Sequence, residues 1–91
     1  MPSIKFTTHL QRFFPDLQQN MWIPGKTVAE IITGLNDQYP GLADYIVDER
    51  GTLRKHVNIF INDELIHDRQ RLSDTVQDEQ QVFIFQALSG G

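Results

Sequence analysis

The sequence ends in Ser89-Gly90-Gly91, which puts a terminal carboxylate on two residues that lack a Cβ. Such residues can lie extended in a channel too narrow for side chains. They add nothing to a core, and ordering them costs entropy. Their position makes chemical sense if the active site of another protein must reach the last carboxyl carbon. A frayed end is the competing explanation, since chain termini commonly fray. The carboxylate is a poor electrophile as it stands, because its charge is delocalised and it carries no good leaving group.

No other constellation in the chain reads as an active site. Cysteine is absent, which removes disulfides, thiolate nucleophiles and thiolate metal sites together. Any sulfur handled by this protein must therefore come from elsewhere. His9, His56 and His67 are scattered without ligand spacing, and a zinc site needs three or four converging ligands. Ser3, Ser73 and Ser89 lie in no nucleophile elbow, and the glycines form no phosphate-binding loop. Asp48-Glu49 and Asp78-Glu79 read as solvated turns, and Arg54-Lys55 with Arg69 and Arg71 are too sparse to mark a binding site.

Composition narrows the field further. With 91 residues, 40% hydrophobic and 22% charged, the chain has the make-up of one globular domain. Twelve acids against eight bases give a net charge of −4, which speaks against nucleic acid as the main partner. No apolar run approaches the roughly 18 residues that span a bilayer. Met1 to Lys5 lacks the basic and apolar segments of a signal peptide, so a cytoplasmic address is expected.

The elements that would position the tail are read from periodicity. Ser3 to Thr7 alternates as a first strand, and Phe13-Phe14-Pro15-Asp16 interrupts regular pairing. Gln18 to Ile23 is a weaker second strand, and Pro24-Gly25 fits the centre of a type II turn. Thr27-Val28-Ala29-Glu30 has the form of a capping box. Val28, Ile31, Ile32 and Leu35 then make one apolar helical stripe, which should end near Tyr39 before Pro40-Gly41. Leu42 to Val47 adds a short helical turn, and Asp48 to Gly51 a polar bend. Val57, Ile59 and Ile61 mark a strand of high β-propensity, turned by Asn62-Asp63-Glu64 into a brief return at Leu65-Ile66. Asp68 to Gln81 reads as a loop pinned by Leu72 and Val76, and Val82 to Leu88 as the last strand, feeding the tail. The order β-β-α-β-β-β predicts an α+β fold with one main helix across a mixed sheet and with the first and last strands parallel.

With its diglycine tail, this order resembles the β-grasp, or ubiquitin-like, fold of four to five strands. More narrowly, the chain is similar to the small prokaryotic sulfur-carrier proteins of the MoaD/ThiS group. The matching pieces are Thr27-Val28-Ala29-Glu30, Tyr39-Pro40-Gly41-Leu42, His56-Val57-Asn58-Ile59-Phe60-Ile61-Asn62, Leu72 to Asp78, and Ala87-Leu88-Ser89-Gly90-Gly91. Three places depart from the pattern: Glu79-Gln80 stands where a Gly-Asp pair is common, Gln19-Asn20-Met21-Trp22 matches the usual second strand weakly, and Asp44 to Lys55 is longer than in the shortest, thiamine-type carriers. The expected organisation is a single β-grasp domain over residues 1–88 and a tail over 89–91.

The resemblance implies a carrier with no catalytic residues and no bound cofactor of its own. A ubiquitin-activating-enzyme-like adenylyltransferase would use ATP to join Gly91 to AMP. A persulfide enzyme would then convert the mixed anhydride to a thiocarboxylate, and a downstream enzyme would accept the sulfur. Gly90 and Ser89 would thread the channel. Strand alternation separately places Phe83 and Phe85 opposite the core-facing Val82 and Ile84, with Phe60 and Leu65 beside them. Such an apolar group on an open face would be an interaction patch, and in the resembling family that face meets the activating enzyme. With the opposite parity, these residues would be core.

Two other roles share the same fold and tail: a ubiquitin-like modifier joined through Gly91 to a lysine amine, and a β-grasp interaction module that is never activated. Molybdopterin synthesis, cysteine synthesis and tRNA thiolation all use carriers of this kind, and the sequence does not choose among them, although its length leans toward the first two.

Overall fold

A computed structural model describes residues 1–6, 10, 12–18 and 20–86. The elements are β1 (Ser3–Phe6), β2 (Asn20–Trp22), α1 (Val28–Gln38), α2 (Ala43–Ile46), β3 (Val57–Ile61), β4 (Glu64–Leu65) and β5 (Gln81–Gln86). They form a five-stranded sheet in the order β2-β1-β5-β3-β4. Strands β1 and β5 run parallel, whereas β1–β2, β5–β3 and β3–β4 are antiparallel. This is the β-grasp arrangement expected from the element order, with one main helix and a four-residue second one.

Helix α1 covers one face of the sheet because its apolar positions fall on one stripe. Val28, Ile31, Ile32 and Leu35 are all buried, each contributing about 1.5–3 kcal/mol of transfer free energy. They share one core with Ile4, Phe6, Val57, Ile59, Val82 and Ile84 from the sheet. Gly34 allows the close approach: a Cβ there would sit 2.7 Å from Ile23 Cγ2.

The start of the helix is tied down more firmly than a capping box alone would do. The Thr27 hydroxyl accepts from the Glu30 N–H (3.2 Å), while Glu30 Oε1 accepts from the N–H of Lys26, one residue before the usual partner (2.9 Å). The next orphan donors are met across the fold. The Val28 N–H donates to Asp74 O and the Ala29 N–H to Leu72 O. The 68–76 loop is thereby fastened to the helix, with Leu72 and Val76 buried beneath it. Leu72 takes a left-handed φ of 56°, an uncommon conformation for a leucine, held by this burial and by the bond to Ala29.

The chain departs from the sequence reading in several places. Pro24-Gly25 is not a type II turn, because Gly25 does not have the positive φ that such a turn needs; only Gly41 and Gly51 do among the described glycines. Gly25 instead gives room to Ile31, whose Cδ1 would lie 2.9 Å from an added Cβ. The second strand is described over Asn20–Trp22, with Gln19 outside the described residues, and the return strand sits one residue earlier at Glu64–Leu65. The last strand is described over Gln81–Gln86, and the expected Ala87 and Leu88 lie outside the described residues. Leu10 and Leu17, which periodicity did not single out, are buried in the core.

Candidate functional site

Ser89, Gly90 and Gly91 lie outside the described residues. The surface around β5, the strand that leads to them, is described. On β5, Val82 and Ile84 are buried whereas Phe83 and Phe85 point to the opposite face. The rings of Phe83 and Phe85 stack at 6.1 Å with 25° between planes.

Register extends this aromatic pair into a patch. Phe60 on β3 is the cross-strand partner of both Phe83 on β5 and Leu65 on β4, so all three side chains share one face. Phe85 lies opposite Asn58. Phe60 and Phe83 are half-buried by their neighbours, while Leu65 and Phe85 remain 46% and 44% exposed. The parity inferred from alternation therefore holds for the four residues Phe60, Leu65, Phe83 and Phe85. They form one apolar group on the face that α1 does not cover. Isolated exposed apolar residues are ordinary, but a contiguous group in a small monomer points to an interaction.

Sequence reasoning missed one aromatic on this face. Trp22 on the edge strand β2 is 62% exposed and pairs with Ser3. Its row of the sheet continues through Ser3 to Gln81, whereas Phe83 lies in the next row, beside Lys5. The signal was available: Met21 and Ile23 are buried on either side of it, and alternation turns Trp22 outward.

A second feature surrounds the point where β5 ends. Gln86, Arg54, His56, Asp44 and Tyr45 line a shallow cavity of about 310 Å³. The amide of Gln86 lies 3.4 Å from the imidazole Nε2 of His56. Arg54 is held by its Nε donating to Asp44 O (2.8 Å). Arg69 donates to Asn58 Oδ1 and to Arg54 O, which brings its guanidinium to the same end of the sheet.

A larger concavity, about 480 Å³, lies elsewhere, between α1, α2 and the loops carrying Arg50 and Arg71. Among the described residues no histidine, serine or cysteine lines it, and the hydroxyl of Thr33 on its wall donates to Ala29 O, so its described wall offers no activated nucleophile. Among the described residues, no group of three or more His, Asp or Glu side chains could hold a metal ion. His56 lies in the turn before β3 and His67 in the loop after β4, and His9 lies outside the described residues. Nor is any described helix long and apolar enough to cross a membrane.

Two carboxylates have clear electrostatic perturbations, and both organise loops. The Arg50 N–H, aided by that of Thr52 and opposed by partial desolvation, holds Asp48 below the usual carboxylate range. The Ser73 hydroxyl and then the Arg71 N–H do the same for Asp68. Hydrogen bonds to the charged form produce this direction of shift. Neither site resembles a catalytic acid, which would need its pKa raised.

Comparison with known proteins matches this geometry. Residues 4–91 match the ThiS family. The chain is 30% identical over 76 residues to the protein named sulfur carrier protein CysO in Mycobacterium tuberculosis, covering 81% of this chain and 82% of that one. The crystal structure of M. tuberculosis CysO superposes with a TM-score of 0.83 at 26% identity, over 97% of this chain and 100% of the other. A chain in the crystal structure of the Amycolatopsis orientalis BexX/CysO complex gives 0.85 at 24% identity, over the whole of both chains. The solution structure of small archaeal modifier protein 1 from Methanosarcina acetivorans gives 0.75 at 25% identity, over 98% and 94%.

Proposed function

This chain belongs to the ThiS family, and from that premise we propose that it is a sulfur carrier whose working group is the carboxylate of Gly91. The observation that carries the reading is that the family match runs through Ser89-Gly90-Gly91 to the last residue. The curated relatives matched over four-fifths of the chain are named as sulfur carriers. The apolar face beside β5 supplies what a carrier needs besides its tail: a place for a partner to hold it.

The chemistry is dictated by the weakness of a carboxylate as an electrophile. A carboxylate oxygen attacks the α-phosphorus of ATP in the partner's active site, releasing pyrophosphate and leaving an acyl-adenylate. A persulfide then attacks the acyl carbon and expels AMP. Reductive cleavage of the resulting acyl disulfide by a thiol leaves the thiocarboxylate and a disulfide. This chain is the co-substrate throughout, and the catalytic groups and ATP belong to the ubiquitin-activating-enzyme-like adenylyltransferase. Gly90 and Gly91 allow a narrow channel to close on the extended backbone, with Ser89 at its mouth. Phe60, Leu65, Phe83 and Phe85 dock the folded domain on that enzyme, and a persulfide donor and a sulfur-accepting enzyme complete the set of partners. A chain of the BexX/CysO complex has this fold, in keeping with carriers acting in complexes.

One observation favours a second reading. Similarity to a small archaeal modifier protein fits a chain whose activated Gly91 is joined to a lysine amine of another protein instead of accepting sulfur.

ATP–pyrophosphate exchange with the cognate adenylating enzyme tests the shared step. The full chain should support exchange, and deletion of Gly91 should abolish it while leaving the urea midpoint unchanged, since a glycine has no side chain to add to a core. A deletion variant that is still activated, or that unfolds, contradicts the reading.

A further inference from the structure

Charge is distributed unevenly along β5, and the unevenness has a direction. Asp78 and Glu79 precede the strand, Asp78 lying 3.8 Å from the ammonium of Met1, while Asp63 sits in the turn after Ile61 and Glu64 opens β4 opposite Ile61, which pairs with Val82 near the start of β5. Four carboxylates thus gather where β5 begins. At the other end, Val57 pairs with Gln86, so Arg54, Lys55 and His56 come directly beside the point from which the tail departs. Arg69 is fixed there as well, through Asn58, the partner of Phe85, and through Arg54 O.

Neutralisation within the chain does not account for these cations. Among the described residues neither Arg54, Lys55 nor Arg69 makes an ion pair with a carboxylate. Asp44 is the acid lining the nearby cavity, and its contact with Arg54 is through the backbone oxygen. Arg54 lies near enough to Asp48 to help hold that carboxyl ionised, but the Lys55 side chain is exposed and has no partner among the described residues. In a chain of net charge −4, a positive collar at one end is a local feature that bulk charge does not explain. An aromatic ledge adjoins it: Tyr45, in the cavity wall, stacks on the exposed ring of Phe13 at 4.8 Å and 24°.

On the carrier reading, the working residue Gly91 lies five residues beyond Gln86, and at about 3.3–3.6 Å each these span at most about 18 Å. An enzyme that takes the last carbon into a closed channel must therefore bring the mouth of that channel onto the surface around Gln86. We propose that Arg54, Lys55 and Arg69 form an electrostatic collar that reads a ring of carboxylates at the mouth of the adenylating enzyme's channel. The collar is distinct from the apolar patch of Phe60, Leu65, Phe83 and Phe85, and it rests on the carrier reading. The patch supplies contact area. The collar orients the domain so that the tail faces the channel, the role that rim charges play through association rate and salt dependence.

The test compares two charge reversals of equal size at opposite ends of β5, using the full-length chain and the purified cognate adenylating enzyme. Lys55→Glu falls in the collar. Lys26→Glu lies beside the 75–79 loop near the start of the strand, and neither side chain has a hydrogen-bonding or ion-pairing partner among the described residues. Circular dichroism and urea melts confirm that both variants fold. In ATP–pyrophosphate exchange at low salt, Lys55→Glu should raise the KM for the carrier by about five- to tenfold with kcat within about twofold, and added salt should shrink the gap. Lys26→Glu should stay within about twofold of the unaltered chain. Equal effects from the two reversals, or none from Lys55→Glu, would overturn the collar while leaving the carrier reading intact. Failure of the unaltered chain to support any exchange would overturn both.

Discussion

Alternate residues of β5 face two different surroundings. Val82 and Ile84 are sealed beneath α1, whereas Phe83 and Phe85 stand on the face that no described helix covers, the latter 44% exposed. The larger side chains are therefore on the outside. Folding stability does not require this arrangement, because a polar residue at either outer position would keep the register and spare an exposed ring. The other strands keep the same division: Ile4, Phe6, Met21, Val57 and Ile59 point inward, while Trp22, Phe60 and Leu65 share the outer face with Phe83 and Phe85. One face builds the domain, and on the carrier reading the other is where a partner docks.

Substitutions on the two faces put this division at risk most directly. Ile84→Ala opens a cavity in the sealed layer and should cost about 2–5 kcal/mol in urea unfolding. Phe85→Asp should cost less than about 1 kcal/mol, yet weaken docking to the activating enzyme by more than about tenfold. Comparable losses of stability from the two changes would mean that the outer face is structural after all.

The sealed side should also reject additions. Gly34→Ala improves intrinsic helix propensity by roughly 1 kcal/mol. The new methyl group would, however, meet Ile23 Cγ2 at 2.7 Å, and Ile23 is fully buried and branched at Cβ, so it cannot swing aside. A net destabilisation of about 1–2 kcal/mol is expected, read as a lowered midpoint in thermal or urea melts. A rise in midpoint would show that the layer under α1 is looser than its geometry implies.

The smallest effect concerns the loops that seat the helix. Asp48 and Asp68 titrate below their unfolded range because N–H and hydroxyl donors stabilise the charged form. Their stabilising contribution is complete above the unfolded carboxylate pKa and is lost as pH falls through the lower folded values. Stability should thus be flat from about pH 5 to 7 and decline below about pH 4, and Asp68→Asn should make that decline shallower. An Asp68→Asn melt series parallel to that of the unaltered chain would remove Asp68 from this role.

Much of this division was legible in the sequence. Alternation at Val57 to Ile61 and at Val82 to Phe85 assigns inside and outside without a structure, and the stripe Val28, Ile31, Ile32, Leu35 identifies the layer that covers the inside. The features that escaped have identifiable causes. Gly25 next to Pro24 looks like a turn signal, but it provides clearance for Ile31, a contact that local patterns do not reveal. The left-handed Leu72 and the capping of the Val28 and Ala29 N–H groups depend on tertiary pairing. Their acceptors, Asp74 O and Leu72 O, are distant in sequence and reach the helix only once the loop has packed against it. Leu10 and Leu17 were hidden for a similar reason: they lie in an irregular stretch, where no period marks which residues turn inward. Trp22 was overlooked because Gln18-Gln19-Asn20 is poor in strand formers and drew notice away from the alternation of Met21, Trp22 and Ile23.

The central claim is that the end of this chain is made reactive and then carries sulfur. Its most direct test is the intact mass of the protein isolated from its native cell with the activating enzyme and sulfur donor present. The expected result is a species heavier than the unmodified chain by the difference between sulfur and oxygen, lost when Gly91 is removed. An unchanged mass under those conditions, or the chain found only in amide linkage to lysines of other proteins, would contradict it.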